Sequence, residues 1–458
     1  MGRLLIGVLS TGIYCLPSCT ARSPKPENVR FFQTEAEAQA AGLRPCKRCH
    51  PDYFYRDYDP DYECLIALTS DIQHNPAAFG GLEAMANASG IGVTKLHALF
   101  RQHFHTTPAA YLSRARLATA TEMLTDPDRQ VIDVAYAAGY ESLSAFHENF
   151  RKGMGLSPKE YQNLGPSFTL TLPKNYLSWI ALKLLARDPE SRIEQVNGNQ
   201  AVKALNIGET AVLLRMEWQD GQVCCQVDSA RPLDTRAIQS VHAAAIRMLG
   251  VGTNPPGFER LIAGQPELTR LIDGRGGLHI PLSAEIFEGI AWAILGQQVN
   301  LAFTYKLRRS LTELCGRPVS DGFIAHPTAQ AAAQLAYEDL TQRQFSRRKA
   351  EYLIDTARLM VSGQLILDPL APASQIEKQL LAVRGFGKWS TNYIMMRVLG
   401  FADCVPLGDT GLTTALQRFY ALDHRPDVTE TTDLMKPFAP YRSLATYHLW
   451  TSLGGNPA

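Results

Sequence analysis

The sequence predicts a multidomain, mainly α-helical protein with a small α/β metal-binding domain at its start and an α+β lobe near its middle. Its 458 residues are too many for one hydrophobic core, so two to four domains are expected. Four cysteines form two close pairs near the start, and helical periodicity fills residues 62–164 and the chain from Phe258 onward. Between these helical stretches, short runs alternate apolar and polar residues. The predicted domains are residues 1–58, 59–164, 165–256 and 257–458.

Composition narrows the class of protein and its compartment. A hydrophobic content of 45% and a charged content of 19% are typical of a soluble globular chain. No apolar run reaches the length of about 18 residues that a membrane helix requires, and the short apolar start is interrupted by Gly and Ser, so neither a membrane span nor export is expected. Nine cysteines, an odd number, favour a reducing cytoplasm over a disulfide framework. The net charge of +1 does not indicate a polyanionic partner, so any DNA binding must depend on locally placed residues.

The two cysteine pairs predict a metal site. Cys15 and Cys19 are separated by three residues, Cys46 and Cys49 by two. Each close pair can supply two thiolates to one ion, and four thiolates are typical of tetrahedral Zn²⁺. The alternatives are four unrelated buried thiols or a purely structural zinc ribbon.

The residues around these pairs, TGIYCLPSCTAR and AGLRPCKRCHPD, resemble the N-terminal domain of the Ada methylation-response regulators. The resemblance implies that Cys15, Cys19, Cys46 and Cys49 bind Zn²⁺ and that Cys15 accepts a methyl group from a methyl phosphotriester in DNA. A thiolate held by zinc remains nucleophilic at neutral pH without a separate base. The domain is N-terminally short beside the family pattern, which keeps the structural zinc site as an alternative.

Two matched helical segments follow, residues 81–124 and 131–161, with turns at Gly90 and Gly139. They resemble the double helix-turn-helix of AraC-type regulators, which implies that two recognition helices enter successive major-groove faces of promoter DNA. The same resemblance implies a transcriptional activator with RNA polymerase as a partner, and a helical bundle without DNA function is the alternative. The candidate DNA-contacting residues are Thr94, Lys95, His97, Ser142, Ser144, His147, Asn149 and Arg151. The expected core residues are Leu96, Leu99, Phe100, Leu143, Phe146 and Phe150.

The next lobe combines three predicted antiparallel strands, at SFTLTLP, AVLLRMEW and VCCQVDS, with two predicted helices. It resembles the scaffold lobe of AlkA-type alkylbase glycosylases. Residues 285–316 resemble the family segment whose turn inserts a side chain into the gap left by an extruded base. By order of residues Gln298 is the predicted wedge. The basic run Arg347, Arg348 and Lys349 is predicted either to contact phosphate or to be solvated surface.

Residues 379–412 hold the pattern on which the rest of this interpretation depends. An apolar helix reaches Val383, a tight turn contains Gly385 and Gly387, and a second apolar helix follows. Backbone in such a turn disfavours Cβ-bearing residues, and its N–H groups suit a phosphate. Asp409 follows, between Gly408 and Thr410. The pattern resembles the helix-hairpin-helix DNA glycosylases and implies a Na⁺ or K⁺ ion bound by three carbonyls, those of Leu381, Val383 and Phe386.

The same resemblance assigns the chemistry to Asp409. A carboxylate there would stabilise the oxocarbenium-like sugar formed as a base departs and orient the attacking water; the alternative is a helix N-cap. Trp389, Tyr393 and Trp450 match the family's base-pocket aromatics, which suit positively charged alkylpurines through stacking and cation–π attraction, although Tyr393 could be ordinary core. Related lyases carry a lysine nucleophile where this chain has Trp389, so a monofunctional enzyme is expected.

The sequence as a whole therefore predicts a fusion of an Ada-type methyl acceptor, an AraC-type regulator and an AlkA-type glycosylase that excises alkylated purines of the 3-methyladenine type. We expect a monomer that acts on double-stranded DNA in the cytoplasm, at the bacterial nucleoid. Two alternatives remain at this point: a transcription regulator with an inactive glycosylase lobe, and a glycosylase with a purely structural zinc domain.

Overall fold

The computed structural model describes residues 4–54 and 58–454. The chain forms two compact units. The first comprises Met1–His74 and Leu82–Leu99, and the second comprises Asn75–Gly81 and Phe100–Ala458. The predicted division into four domains stays a prediction, and the boundary between the two compact units falls within the predicted helix-turn-helix domain.

The first unit begins with a small α/β fold, as predicted. Its elements are β1 (Leu5–Val8), β2 (Ile13–Cys15), β3 (Val29–Phe32), α1 (Glu35–Ala40), β4 (Arg44–Pro45) and α2 (Pro51–Phe54), with a 3-10 helix at Pro26–Asn28. The strand order is β3-β1-β2-β4, with β2 and β4 parallel. Because β2 ends at Cys15 and β4 ends just before Cys46, their pairing brings the two cysteine pairs together.

The helix-turn-helix segments are helical where the sequence predicts. Their helices are α3 (Pro60–His74), α4 (Leu82–Ser89), α5 (Val93–Phe104), α6 (Pro108–Met123), α7 (Val131–Ala137), α8 (Leu143–Met154) and α9 (Pro158–Gln162), with a 3-10 helix at Pro76–Ala78. The turns at Gly90 and Gly139 have φ of +66° and +88°, the left-handed region that glycine adopts most easily. All the expected core residues are buried except Leu143, which is half-buried.

An antiparallel five-stranded sheet forms the α+β lobe. Its elements are β5 (Ser167–Thr171), α10 (Ser178–Leu185), β6 (Glu194–Asn197), β7 (Gln200–Ile207), β8 (Thr210–Gln219), β9 (Gln222–Ser229) and α11 (Thr235–Leu249), in the strand order β5-β9-β8-β7-β6. Phe150 and Tyr161 belong to the same hydrophobic core as Leu170 and Val223. The second helix-turn-helix therefore shares one continuous core with this lobe.

The rest of the chain is almost wholly helical, as predicted. Its elements are α12 (Pro255–Ile262), α13 (Pro266–Thr269), α14 (Ile286–Leu295), α15 (Leu301–Cys315), β10 (Arg317–Pro318), β11 (Ile324–Ala325), α16 (Ala329–Ala333), α17 (Tyr337–Thr341), α18 (Arg347–Val361), α19 (Ala373–Ala382), α20 (Lys388–Arg397), α21 (Thr410–Tyr420), α22 (Val428–Met435) and α23 (Arg442–Ser452), with 3-10 helices at Ser320–Gly322 and Lys436–Phe438. The residues of α14 from Phe287 to Leu295 are all buried, so this helix is the centre of the lobe. Within the described residues, no helix is long and apolar enough to cross a membrane.

A buried ion cluster joins the sheet to the helical lobe. Lys203 Nζ on β7 lies 2.8 Å from a Glu194 carboxylate oxygen and 2.6 Å from Glu288 on α14. Arg308 on α15 donates to both carboxylates, at 2.5 and 2.9 Å to Glu194 and at 2.7 Å to Glu288. All four side chains are at most 5% exposed, so the two positive and two negative charges compensate one another out of water.

Candidate active site and metal centre

Asp409 lies at the start of α21, where its side chain caps the helix and also contacts two of the aromatic residues. Its Oδ1 accepts a hydrogen bond from the backbone N–H of Leu412 at 2.7 Å, so Asp409 is the helix N-cap. Oδ1 also accepts from Trp450 Nε1 at 2.9 Å, and Oδ2 accepts from Trp389 Nε1 at 3.1 Å. The carboxylate, 9% exposed, therefore faces the aromatic residues while it caps the helix.

The three predicted pocket aromatics are brought together. The rings of Trp389 and Tyr393 stack with centroids 5.3 Å apart, and Trp450 lies 6.3 Å from Tyr393. Tyr393 and Trp450 are buried at 3% exposure, whereas Trp389 is half-buried. Of the three rings, only that of Trp389 lines the neighbouring cleft, so a base could reach the other two only if the rings separated.

A cleft of about 880 Å³ opens beside Asp409. It is bounded by the α14–α15 turn, the start of α18, the hairpin and the start of α21. Gln298 projects from the α14–α15 turn, where it is exposed and has φ of +56°. The predicted wedge, hairpin and aspartate thus line one cavity.

The α14–α15 turn is held by two residues to which the sequence assigned no such role. Gln297 Nε2 donates to the carbonyl of Gly385 and to Ser390 Oγ, both at 3.0 Å. Lys349 Nζ donates to three carbonyls at the end of α14, those of Ile294, Leu295 and Gln297, at 3.0, 2.7 and 2.7 Å.

The basic run on α18 divides into three different environments, so neither prediction holds for all of it. Arg347 pairs with Glu338 and Glu351 on the surface, and Arg348 lines the cleft. Lys349 is only 8% exposed, and burial lowers its pKa to about 8. Lys349 also lines the cleft, but its ammonium group is occupied by three backbone carbonyls, so it is neither solvated surface nor a free cation for a phosphate.

The hairpin connects α19 to α20. Gly385 has φ of +94°, and a Cβ there would collide with the Tyr352 ring, which confirms the need for glycine. The same expectation is wrong at Gly387, which has φ of −105° and no atom within 4 Å of an added Cβ. Gly387 caps α20 without a side-chain hydrogen bond. Among the three carbonyls predicted to bind a monovalent ion, that of Val383 accepts a hydrogen bond from Phe386 N at 3.1 Å.

One further glycine matters at this site. A Cβ at Gly411, in the first turn of α21, would lie 3.1 Å from Asp409 Oδ1 and 3.4 Å from the Trp450 ring. The sequence shows this glycine next to the aspartate, but the crowding depends on α23, which is distant along the chain.

The four cysteines form the predicted cluster. The sulfur atoms of Cys15, Cys19, Cys46 and Cys49 all lie within 4.8 Å of one another. Tetrahedral Zn–S bonds of about 2.3 Å require sulfurs about 3.8 Å apart, so the set fits Zn²⁺. Disulfide-free thiols of this number and spacing are a zinc donor set, which agrees with the predicted metal.

The sulfurs differ in their hydrogen bonds. Leu16 N donates to Cys49 Sγ at 3.3 Å, and Arg48 N donates to Cys46 Sγ at 3.4 Å. Such bonds withdraw electron density from a thiolate, which makes it a weaker nucleophile. In the described part of the chain we find no backbone donor to the sulfur of Cys15 or Cys19, and both residues are half-buried.

The predicted DNA-contacting side chains are accessible. All of them are exposed except His97 and His147, which are half-buried. Lys95 forms an ion pair with Asp61 at 2.5 Å, so a phosphate or base would compete with a carboxylate for it.

Comparison with known families agrees with this architecture. Residues 1–52 match the metal-binding domain of Ada, residues 85–164 a helix-turn-helix domain, and residues 291–440 the HhH-GPD superfamily of base excision DNA repair proteins.

Three relatives illustrate the match. A probable bifunctional transcriptional activator/DNA repair enzyme AlkA of Mycobacterium tuberculosis is 28% identical and aligns with 99% of this chain and 93% of its own length. The bifunctional transcriptional activator/DNA repair enzyme AdaA of Bacillus subtilis is 31% identical over 35% of this chain and 75% of its own. The structure of a 3-methyladenine DNA-glycosylase from Archaeoglobus fulgidus superimposes with a TM-score of 0.55 at 22% identity, covering 62% of this chain and 97% of the other, which establishes the fold.

The fold and the site together define a helix-hairpin-helix base-excision protein joined to regulatory DNA-binding domains. The chain has a four-cysteine cluster at one end and an aspartate beside a hairpin at the other. It belongs to the family of Ada-type bifunctional transcriptional activator/DNA repair enzymes, with an AlkA-type glycosylase half.

Proposed function

We propose that the C-terminal half is a monofunctional DNA glycosylase that releases alkylated purines of the 3-methyladenine type. The observation that carries this proposal is the Asp409 carboxylate, which three N–H donors hold at the edge of a cleft that also contains the hairpin and the exposed Gln298 turn. The names of the relatives point to the same activity.

In the proposed reaction the glycosidic C–N bond breaks and the base leaves with the electron pair. Positive charge develops on the sugar, and the Asp409 carboxylate stabilises it at short range. A water oxygen then bonds to the sugar carbon, and its proton passes to the carboxylate and on to solvent. Trp389 has no amine to form a Schiff base, so the strand is not cut.

The surrounding residues have supporting roles in this proposal. Gln298 fills the gap left by the extruded base, and the rings of Trp389, Tyr393 and Trp450 bind the cationic purine. The uncapped N–H groups at the start of α20, next to Gly385 and Gly387, bind a phosphate. A Na⁺ or K⁺ ion at the carbonyls of Leu381, Val383 and Phe386 remains a prediction.

Base release from methylated duplex DNA tests the proposal. Asp409→Asn keeps a good N-cap residue, so α21 should remain intact while the charge is lost. We expect base release to fall by about 100-fold or more, the scale on which one pre-organised stabilising group acts. Asp423→Asn, at an exposed position after the same helix, is the matched control. A fully active Asp409→Asn protein would support a regulator with an inactive glycosylase lobe.

For the N-terminal domain, we propose methyl transfer to Cys15. Zn²⁺ at the four cysteines would keep the thiolates ionised at neutral pH. The Cys15 sulfur bonds to the methyl carbon, the carbon–oxygen bond of the phosphotriester breaks, and the phosphodiester leaves with its negative charge. The hydrogen bonds to Cys46 and Cys49 support this choice in part, since they leave only Cys15 and Cys19 without a backbone donor.

Peptide mass spectrometry after exposure to methyl-phosphotriester DNA tests the transfer. One methyl group on the Cys15 peptide, absent in Cys15→Ser, is the expected result. A methyl group on Cys19 would reassign the nucleophile, and none at all would favour a purely structural zinc site. Loss of negative charge on methylation should strengthen binding to DNA. We propose that the methylated protein then activates transcription with RNA polymerase, and that it does so as a monomer.

A further inference from the structure

The α14–α15 turn is held by Lys349, which lines the cleft but directs its ammonium group to backbone carbonyls. The last carbonyls of a helix lack a full set of partners within the helix, and Lys349 Nζ donates to three carbonyls here, on Ile294, Leu295 and Gln297. The ammonium group is a favourable partner at the negative end of the helix dipole. Lys349 lies on α18, so it ties the end of α14 to a different helix.

The turn is also tied forward to the hairpin. Gln297 Nε2 donates to the Gly385 carbonyl and to Ser390 Oγ, at the two sides of the hairpin turn. On its far side, Asn300 caps α15 by accepting from Phe303 N at 2.9 Å. Between these anchors only Gln298 is exposed with a positive φ, so its backbone is held while its side chain is free.

We propose that Lys349 and Gln297 are positioning residues that hold the Gln298 turn at a fixed place beside the hairpin. Opening a duplex then depends on them, whereas hydrolysis of a base that is already unstacked does not. This inference rests on the proposed function, because it assigns the turn a task in base extrusion. It adds to that task two residues that are not among the hydrogen-bond partners of the Asp409 carboxylate.

Comparing duplex with single-stranded DNA tests the assignment. Lys349→Met removes the three hydrogen bonds and keeps the length of the side chain. We expect base release from methylated duplex DNA to fall by about 100-fold, as misplacement of a positioning element does, while release from methylated single strands stays within a few-fold of wild type. Lys349→Arg keeps the charge and donors and should recover most of the loss. Lys378→Met, at an exposed lysine on α19, is the matched control.

Gln297→Met provides a second variant in case Lys349→Met folds poorly. It should show the same duplex-selective loss, since it breaks only the ties to Gly385 and Ser390. Equal losses on duplex and single-stranded DNA in both variants would overturn the proposal, because they would indicate general damage to the fold. Unchanged duplex activity in both variants would overturn it as well.

A readout without catalysis separates this inference from the proposed function. In a duplex with an abasic-site analogue beside 2-aminopurine, an inserted side chain unstacks the neighbour and raises its fluorescence. Wild-type protein should produce the increase, and Lys349→Met, Gln297→Met and Gln298→Ala should not. If wild-type protein released no base from any DNA, the proposed enzymatic function would fail, and the fluorescence would still decide whether Lys349 positions the turn. A full increase with the Lys349 and Gln297 variants would exclude that role.

Discussion

Two buried carboxylate sites in the second compact unit are built in opposite ways. At the ion cluster, Glu194 and Glu288 each accept hydrogen bonds from Lys203 and Arg308. Burial acts to raise the pKa of Glu288, but the charges of Lys203 and Arg308 prevail and lower it to about 2. At Asp409 the three donors are neutral, two indole N–H groups and one backbone N–H.

The difference shows how a fold separates a structural carboxylate from one available for chemistry. A fixed cation would neutralise the field of a carboxylate, so little attraction would remain for charge that develops on a substrate. Neutral donors orient the group and leave its negative charge uncompensated. We infer that the ion cluster supplies stability between the sheet and the helical lobe, and that Asp409 supplies charge to the cleft.

The largest expected effect is therefore on stability and arises at the ion cluster. Glu288→Gln leaves Lys203 and Arg308 with too little negative charge in a site closed to water, which should cost about 3–5 kcal/mol of unfolding free energy. Chemical denaturation measures it. Asp409→Asn should cost less, because the amide keeps one acceptor oxygen for Leu412 N and Trp450 Nε1 and loses only the acceptor for Trp389 Nε1. If the two variants destabilised the protein equally, the contrast between the sites would fail.

The exposed ion pair between Arg215 and Asp228 provides the control for that measurement. Its side chains are 41% and 37% exposed, so Asp228→Asn should cost at most about 1 kcal/mol. A comparable cost at the surface would mean that burial is not the reason for the effect at Glu288.

The second expected effect is on the pH dependence of stability, because a buried histidine and the ion cluster lose their contributions over different pH ranges. Burial lowers the pKa of His242 to about 4 from 6.5. Between these values the unfolded chain binds a proton that the folded protein does not, so stability falls as the pH decreases from about 6.5 to about 4, by about 3 kcal/mol for this residue. His242→Gln should flatten the curve of unfolding free energy against pH in that window. Parallel curves for variant and parent would contradict it. The stability that Glu288 contributes, by contrast, should be lost only as the pH falls from about 4.5 towards 2.

Much of the fold was predictable because the deciding signals are local. Helical periodicity and the turn glycines at 90 and 139 identified both helix-turn-helix segments. Strands β6 and β7 were missed, since β7 carries Lys203 on a buried position and so lacks clean alternation. The core shared by the second helix-turn-helix and the α+β lobe could not be predicted, because it depends on contacts between segments distant along the chain.

The candidate site was likewise predictable where the signal is local and not where it depends on contacts between distant segments. The cysteine cluster, Asp409, Gln298 and the hairpin were found from spacing and resemblance. Lys349 was not assigned correctly, because a basic run has no periodic signal that distinguishes its one buried member. Gln297 was missed because its partners, Gly385 and Ser390, lie about ninety residues along the chain.

The two indole donors predict a third, smaller effect. Trp389→Phe keeps an aromatic ring but removes the N–H that donates to Asp409 Oδ2. Loss of this donor frees one carboxylate oxygen to move, and a misplacement of about 1 Å can cost about 100-fold in rate, so base release should fall by about 10- to 100-fold. Trp179→Phe, the same substitution at an exposed tryptophan on α10, is the control. Equal activity in the Trp389→Phe protein and the parent would show that the neutral donors do not orient the carboxylate.

The smallest expected effect tests orientation without removing any donor. In Gly411→Ala the added methyl group would lie 3.1 Å from Asp409 Oδ1, so the carboxylate must shift by a few tenths of an ångström. Alanine in place of glycine favours a helix by about 0.5–1 kcal/mol, so the melting temperature should not fall. Base release should decrease several-fold, an effect opposite in kind to that of Glu288→Gln. Gly363→Ala would be a poor comparison because Gly363 has φ of +71°, whereas Gly165→Ala, with open space around the added methyl group, should change neither quantity. A Gly411→Ala protein that is as active as its parent would mean that the site tolerates a displaced carboxylate, and that charge alone, rather than its exact position, distinguishes Asp409 from the carboxylates of the ion cluster.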